Sequence, residues 1–123
     1  MDDTDIVARF NAAITAADIG ALAGLITDDH RFVDSAGNEI AGREEVLAAW
    51  RGFFQAFPGY RNTFSQTRAD GGSLCLMGAS HCSDPRLDGP ALWRATLQGG
   101  KLAAWEVFDD TADTRRALGF MSG

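Results

Sequence analysis

The residues with the most chemistry in them lie in one short stretch, His30–Gly37, which reads His-Arg-Phe-Val-Asp-Ser-Ala-Gly. Side chains of a strand alternate faces, so His30, Phe32 and Asp34 share one face and Arg31 and Val33 the other. Phe32 is the large apolar member of its face, which marks that face as inward. Asp34 is then carried inward with it, at the C-terminal end of the strand. A carboxylate buried without a partner costs several kcal/mol or has its pKa pushed up, the condition of a general base. The same residues have a plainer use. Asp-Ser-Ala-Gly is turn chemistry, and a carboxylate that accepts backbone N–H bonds from Ala36 or Gly37 has its pKa pulled down. The direction of the Asp34 shift separates the two.

Other polar candidates surround this one. His30 lies four residues before Asp34, about 13 Å along a strand, too far to touch it, and reads as a surface or turn residue. His81 falls near the end of a strand on the face of Cys75, Met77 and Ala79, either as a hydrogen-bonded core histidine or as a donor in a pocket. Arg94 is placed to pair with Asp34, Glu106 or a substrate carboxylate, and a plain salt bridge is the simplest use of it. Trp50, Phe53, Phe54, Phe57, Trp93, Trp105 and Phe108 are first of all core, and any apolar cavity must take its walls from this set. Two histidines and two cysteines without ligand spacing argue against a metal site. There is no nucleophile elbow, phosphate loop or dinucleotide fingerprint, and no cofactor is expected.

Composition narrows the field. A chain of 123 residues fits one domain, spanning 1–123, and 46% hydrophobic residues suffice for a core. A formal charge of −6 argues against nucleic acid and anionic membrane surfaces as partners. No apolar run reaches membrane-spanning length and no signal peptide is visible. Cys75 and Cys82 sit seven residues apart on one expected strand, about 23 Å, which is too far for a disulfide. Free thiols without an export signal point to the cytoplasm.

The elements that must position these groups follow from periodicity. Asp2–Ala17 reads as a helix through Ile6, Phe10, Ala13, Ile14 and Ala17. Asp18 caps a second helix with Ile19, Leu22, Leu25 and Ile26 on its buried face. Thr27-Asp28-Asp29 breaks the chain before the first strand, and Ser35–Asn38 turns it. Gly42-Arg43-Glu44-Glu45 opens a third helix, with Val46, Leu47, Trp50, Phe53, Phe54 and Phe57 along its stripe and Pro58-Gly59 at its end. Four antiparallel strands follow: Tyr60–Arg68, Leu74–Ser83, Ala91–Leu97 and Lys101–Phe108. Asp70-Gly71-Gly72 and Gln98-Gly99-Gly100 are hairpin turns, and Ser83–Pro90 is a loop. Thr114–Leu118 suits a final helical turn. The class is α+β, with three helices on a cone-shaped, mostly antiparallel sheet that encloses a pocket.

This order resembles the nuclear transport factor two-like (cystatin-like) fold, which includes ketosteroid isomerase, SnoaL-like polyketide cyclases, scytalone dehydratase and limonene epoxide hydrolase. The likeness rests on Ala8-Arg9-Phe10, Ala17-Asp18-Ile19, Asp28-Asp29, Phe32-Val33-Asp34 with Gly37, and Gly42-Arg43-Glu44, spaced as in ketosteroid isomerases. Gly100-Lys101-Leu102 and Trp105-Glu106-Val107-Phe108-Asp109 are similar to the last hairpin of SnoaL-like proteins. The resemblance puts Asp34 where ketosteroid isomerase keeps its general base. It puts Phe10 at the place of that family's tyrosine donor and Trp93, or a neighbour if the turn is one residue shorter, at the place of its aspartic acid donor. Phenylalanine cannot donate a hydrogen bond, whereas an indole N–H can. Scytalone dehydratase carries a catalytic histidine on the sheet, as His81 would be. Arg94-Ala95-Thr96 is similar to the arginine of limonene epoxide hydrolase, with threonine in place of its acid.

The resulting expectation is a small-molecule pocket protein, with Asp34, His81 and Trp93 as catalytic candidates and Phe10, Trp50, Phe54, Tyr60, Arg94 and Phe108 against the ligand. As an enzyme it would be a cofactor-independent isomerase, cyclase or lyase that removes a proton next to a carbonyl of an apolar cyclic or polyketide-like compound. The alternative is a non-catalytic ligand-binding or dimerisation module. The resemblance also implies a homodimer formed through the open face of the sheet.

Overall fold

A computed structural model describes residues 2–121. Helix α1 (Asp3–Ala16) opens at Asp2, whose carboxylate accepts the Asp5 N–H at 2.9 Å, and closes at Ala17 in the left-handed region (φ 52°). Its buried stripe is Ile6, Val7, Phe10, Ala13 and Ile14. Asp18 caps α2 (Ile19–Leu25) by accepting the Ala21 N–H at 3.0 Å. Strand β1 (Ile26–Val33), the short strand β2 (Glu39–Ala41) and helix α3 (Arg43–Ala56) follow. Gly42 enters α3 at φ 96°, a conformation that suits glycine. Strands β3 (Arg61–Asp70), β4 (Ser73–His81), β5 (Gly89–Gln98) and β6 (Lys101–Asp109) make an antiparallel meander, and α4 (Ala112–Ala117) ends the fold behind a Thr111–Thr114 capping box.

One six-stranded sheet runs β2-β1-β6-β5-β4-β3. Every pairing is antiparallel except β1 with β6, so the helical first half joins the meander along a single parallel seam. Leu74, Leu76, Trp93, Ala95, Leu102 and Trp105 pack with Phe10, Ile14, Val46 and Trp50 on the inner face. Cys75, Leu92, Met77 and Phe108 point to the outer face, where Leu118 and Phe120 cover part of them.

The sheet curls at a bulge in β3, where Phe64 opposes Gly78 but Gln66 opposes Met77. The bend lays Phe64 on Trp93 and Trp105, at centroid distances of 5.1 and 6.4 Å. It also brings the β3 backbone so close to Gly78 that a Cβ there would stand 1.9 Å from the Thr63 carbonyl oxygen. Only glycine fits at that crossing.

Three expectations need correction. Ile26 is not helical, and Thr27-Asp28-Asp29 is no break: all four lie in β1. Between Ile26 and Arg31 the strand advances five residues while β6 advances only two, from Leu102 to Ala104, so the polar run is absorbed as a bulge with Asp28 and Asp29 exposed. Asp34 falls just past the strand, in the turn. The strand β2 was not foreseen, because three residues carry too little periodicity to register.

Candidate functional site

A cavity of about 410 Å³ opens between α3 and the concave side of the sheet, at the end where β1 turns into β2. Its walls come from four places. Helix α3 supplies Val46, Ala49, Trp50 and Phe53; β6 supplies Trp105 and Val107. The β1–β2 hairpin supplies Phe32, Asp34, Ser35, Ala36 and Ile40, while Tyr60 and Leu87 close the far side.

Helical spacing explains the α3 contribution: Val46, Ala49, Trp50 and Phe53 recur at three and four residues and share one face. Their rings meet others edge-on. Phe32–Trp50, Trp50–Phe53 and Phe53–Tyr60 have centroids 5.7, 5.6 and 4.8 Å apart at interplanar angles of 73°, 83° and 87°. Such edge-to-face contacts are favourable and hold each ring's orientation.

Asp34 is half-buried at the mouth. One carboxylate oxygen accepts the N–H groups of Ala36 and Asn38, both at 2.9 Å, and the other accepts the Asn38 side-chain amide at 3.1 Å. The Asn38 N–H foremost, then the Asn38 amide and the N–H groups of Ala36 and Gly37, hold its pKa below 3.8, against a smaller opposing effect of burial. The expectation of a raised pKa is therefore corrected. Asp34 is an ionised carboxylate tied into its own turn, although it stands on the cavity wall as expected.

The one phenol of the chain is also on that wall. Ser80 donates its hydroxyl proton to the Asn62 side-chain oxygen at 2.7 Å, so the Tyr60 hydroxyl, 3.1 Å from Ser80 Oγ, is the donor of that pair. Its oxygen keeps lone pairs free but no proton. Burial raises the Tyr60 pKa, which keeps the phenol neutral.

His30 is not a surface residue. It is 0% exposed, packs near Phe10, and its Nδ1–H donates to the Leu102 carbonyl at 2.7 Å. Desolvation pulls its pKa below 6.5, so the ring is neutral. Nε2 is buried without a protein partner.

The remaining candidates lie elsewhere. Phe10 and Trp93 are 0% exposed and sit deeper in the core, around Trp105. Phe54 stacks on the Trp50 ring at 5.3 Å without reaching the cavity wall. His81 is on the outer face, bonded to Thr63 Oγ1 at 2.9 Å. Arg94 binds Glu106 through two nitrogens at 3.0 and 2.9 Å and lies over the Phe108 ring, also on the outer face. Alternation groups His81 with Cys75, Met77 and Ala79, but it does not say which face is concave. Ser35, Ala36, Ile40 and Leu87 were missed. Their positions depend on how a turn and a loop fold back over α3, for which the sequence has no periodic signal.

The model of the family described as "SnoaL-like domain" matches residues 7–109. Among curated proteins nothing matches the sequence. Many solved structures share the fold. A protein from Sinorhizobium meliloti, provisionally assigned as a polyketide cyclase, is 21% identical with a TM-score of 0.76, over 84% of this chain and 93% of its own. A hypothetical protein of ketosteroid isomerase-like fold from Catenulispora acidiphila, in complex with trimethylamine, is 18% identical with a TM-score of 0.71, over 94% and 92%. TerC, co-crystallised with polyporic acid, is 14% identical with a TM-score of 0.73, over 94% and 96%.

The Asp34 turn yields a signed prediction. A carboxylate whose folded pKa is lowered stabilises the fold above its unfolded value, and that contribution is lost as pH falls through the lowered value. Asp34→Ala should therefore cost about 1 kcal/mol in urea unfolding at neutral pH, typical of a lost side-chain cap. The gap to the unsubstituted protein should close as pH drops below 3.8. An NMR titration of the Asp34 carboxyl carbon should give a midpoint below 3.8, and a midpoint above it would remove the turn account.

Proposed function

We propose that this chain, which belongs to the SnoaL-like domain family, is a small-molecule pocket protein whose ligand is an apolar cyclic compound of the polyketide-like kind, held between α3 and the sheet. The observation that carries this reading is the cavity itself: five aromatic rings, Phe32, Trp50, Phe53, Tyr60 and Trp105, around one ionised side chain, Asp34. Cavities of several hundred Å³ with apolar walls and few polar groups are the common form of ligand sites. Structural relatives that hold polyporic acid and trimethylamine support a ligand role for the fold.

Asp34 is the group proposed to take a proton from the ligand. Because the turn lowers its pKa, it is ionised at neutral pH but weak as a base. It suits carbon already acidified by two flanking carbonyls better than carbon beside an isolated ketone. The reaction would be an isomerisation, cyclisation or elimination without a cofactor. In this reading His81 and Trp93 take no part, since neither reaches the cavity wall, and the Ser35 hydroxyl and the indole N–H groups of Trp50 and Trp105 are the side-chain donors left to the enolate.

A second reading, binding without catalysis, is favoured by one observation: the Asp34 carboxylate already has three donors in its own turn. Exchange of the central C–H of a cyclic 1,3-dicarbonyl compound in D₂O, followed by NMR, separates the two. Proton transfer predicts exchange above the buffer rate that Asp34→Asn abolishes while the compound still binds. Binding with exchange at the buffer rate supports the second reading, and no binding at all removes both.

No described helix is long and apolar enough to cross a membrane. Cys75 and Cys82 are free thiols, which supports the proposed cytoplasmic setting. A homodimer through the outer face is also proposed, supported by the partly covered Met77 and Phe108 beside Leu92. Sedimentation equilibrium at high micromolar concentration should show the dimer, and monomer alone would refute it.

A further inference from the structure

We propose that the cavity selects by charge, taking a protonated amine on an apolar ring in preference to a neutral or anionic ring compound; this rests on reading the cavity as a ligand site. Among the described residues, Asp34 is its only charged side chain, and no lysine, arginine or histidine lines it. The nearby hairpin arginine is engaged on its own strand pair, with Arg31 bonded to Glu39 at 2.7 Å. The chain as a whole carries −6, so no general positive field offsets Asp34.

Hydrogen-bonding capacity leans the same way. The Tyr60 proton is committed to Ser80, so its oxygen can only accept. Asp34 is acceptor-only when ionised, and its three turn donors leave lone-pair positions of the carboxylate unused. Beside Ser35, the indole N–H groups of Trp50 and Trp105 are the other side-chain donors among the lining residues, and all of them are uncharged. A ligand carboxylate would thus meet a like charge and no charged donor, whereas an ammonium N–H would meet the ionised Asp34 and the Tyr60 oxygen. The rings add to this. Phe32, Trp50, Phe53 and Tyr60 stand at steep angles to one another, which spreads π surface over several orientations. Cations within about 6 Å of such rings are attracted to their faces, and more strongly where water is displaced.

Isothermal titration calorimetry on the full chain tests this with three probes that share a 2-naphthylmethyl body: its dimethylamine (protonated at neutral pH), its alcohol, and its carboxylate, 2-naphthylacetate. The amine should bind about tenfold tighter than the alcohol, and the carboxylate weakest. Raising sodium chloride from about 20 to about 500 mM should shrink the amine-to-alcohol ratio. Asp34→Asn should bring that ratio towards one. Phe53→Leu, which keeps apolar volume but removes a ring, should lower it as well. Alcohol binding equal to or tighter than amine binding would overturn charge selection and leave the ligand cavity standing. If none of the three binds, the cavity reading fails and this inference fails with it.

Discussion

The fold depends on the parallel seam between β1 and β6. All other strand pairs are antiparallel, so this seam alone joins the helical first half to the meander within the sheet. Its register is irregular: β1 spends five residues where β6 spends two. His30 lies within the irregular span, and its Nδ1–H reaches the Leu102 carbonyl. A buried carbonyl left unpaired there would cost on the order of 1–3 kcal/mol. A neutral imidazole satisfies it without placing a charge among Phe10 and Trp105. Below the bulge the register recovers, Phe32 opposite Trp105 and Val33 opposite Glu106. That pairing delivers the Asp34 turn to the edge of the cavity.

What arrives there is set by the turn rather than by the cavity. A carboxylate facing only aromatic walls would be protonated more easily than usual, and its base strength would rise. Here Asn38 contributes both its N–H and its side-chain amide, and those donors outweigh desolvation. The charge is retained and oriented but weakened as a base. The wall therefore combines an anion, the lone pairs of Tyr60 and a set of rings. That combination favours electrostatic recognition of a ligand at least as much as proton transfer, and it is why charge selection and catalysis are separable questions for this protein.

Much of the architecture was legible because it rests on periodicity. The stripe Val46, Trp50, Phe53 repeats at helical spacing, and the hairpins announce themselves at Gly71-Gly72 and Gly99-Gly100. Thr27–Asp29 misled because a polar run inside a strand looks like a loop unless a bulge partner is known. At Asp34 both outcomes were readable from Asp-Ser-Ala-Gly, but the decisive donor, Asn38, lies one residue past the glycine. The sites of His81 and Trp93 were hidden for different reasons. Alternation placed His81 on a face and the family resemblance placed Trp93, yet neither the identity of the concave face nor depth below its surface is encoded locally. His30 shared its face with Phe32, and that signal was outweighed by its position at the supposed start of a strand.

The most direct measurement is a crystal structure of the protein soaked with a neutral bicyclic ring compound. The account predicts electron density between Trp50 and Trp105, with Asp34 or Tyr60 as the nearest polar side chain. Density on the outer face beside Arg94 and His81, with the cavity holding only solvent, would contradict it.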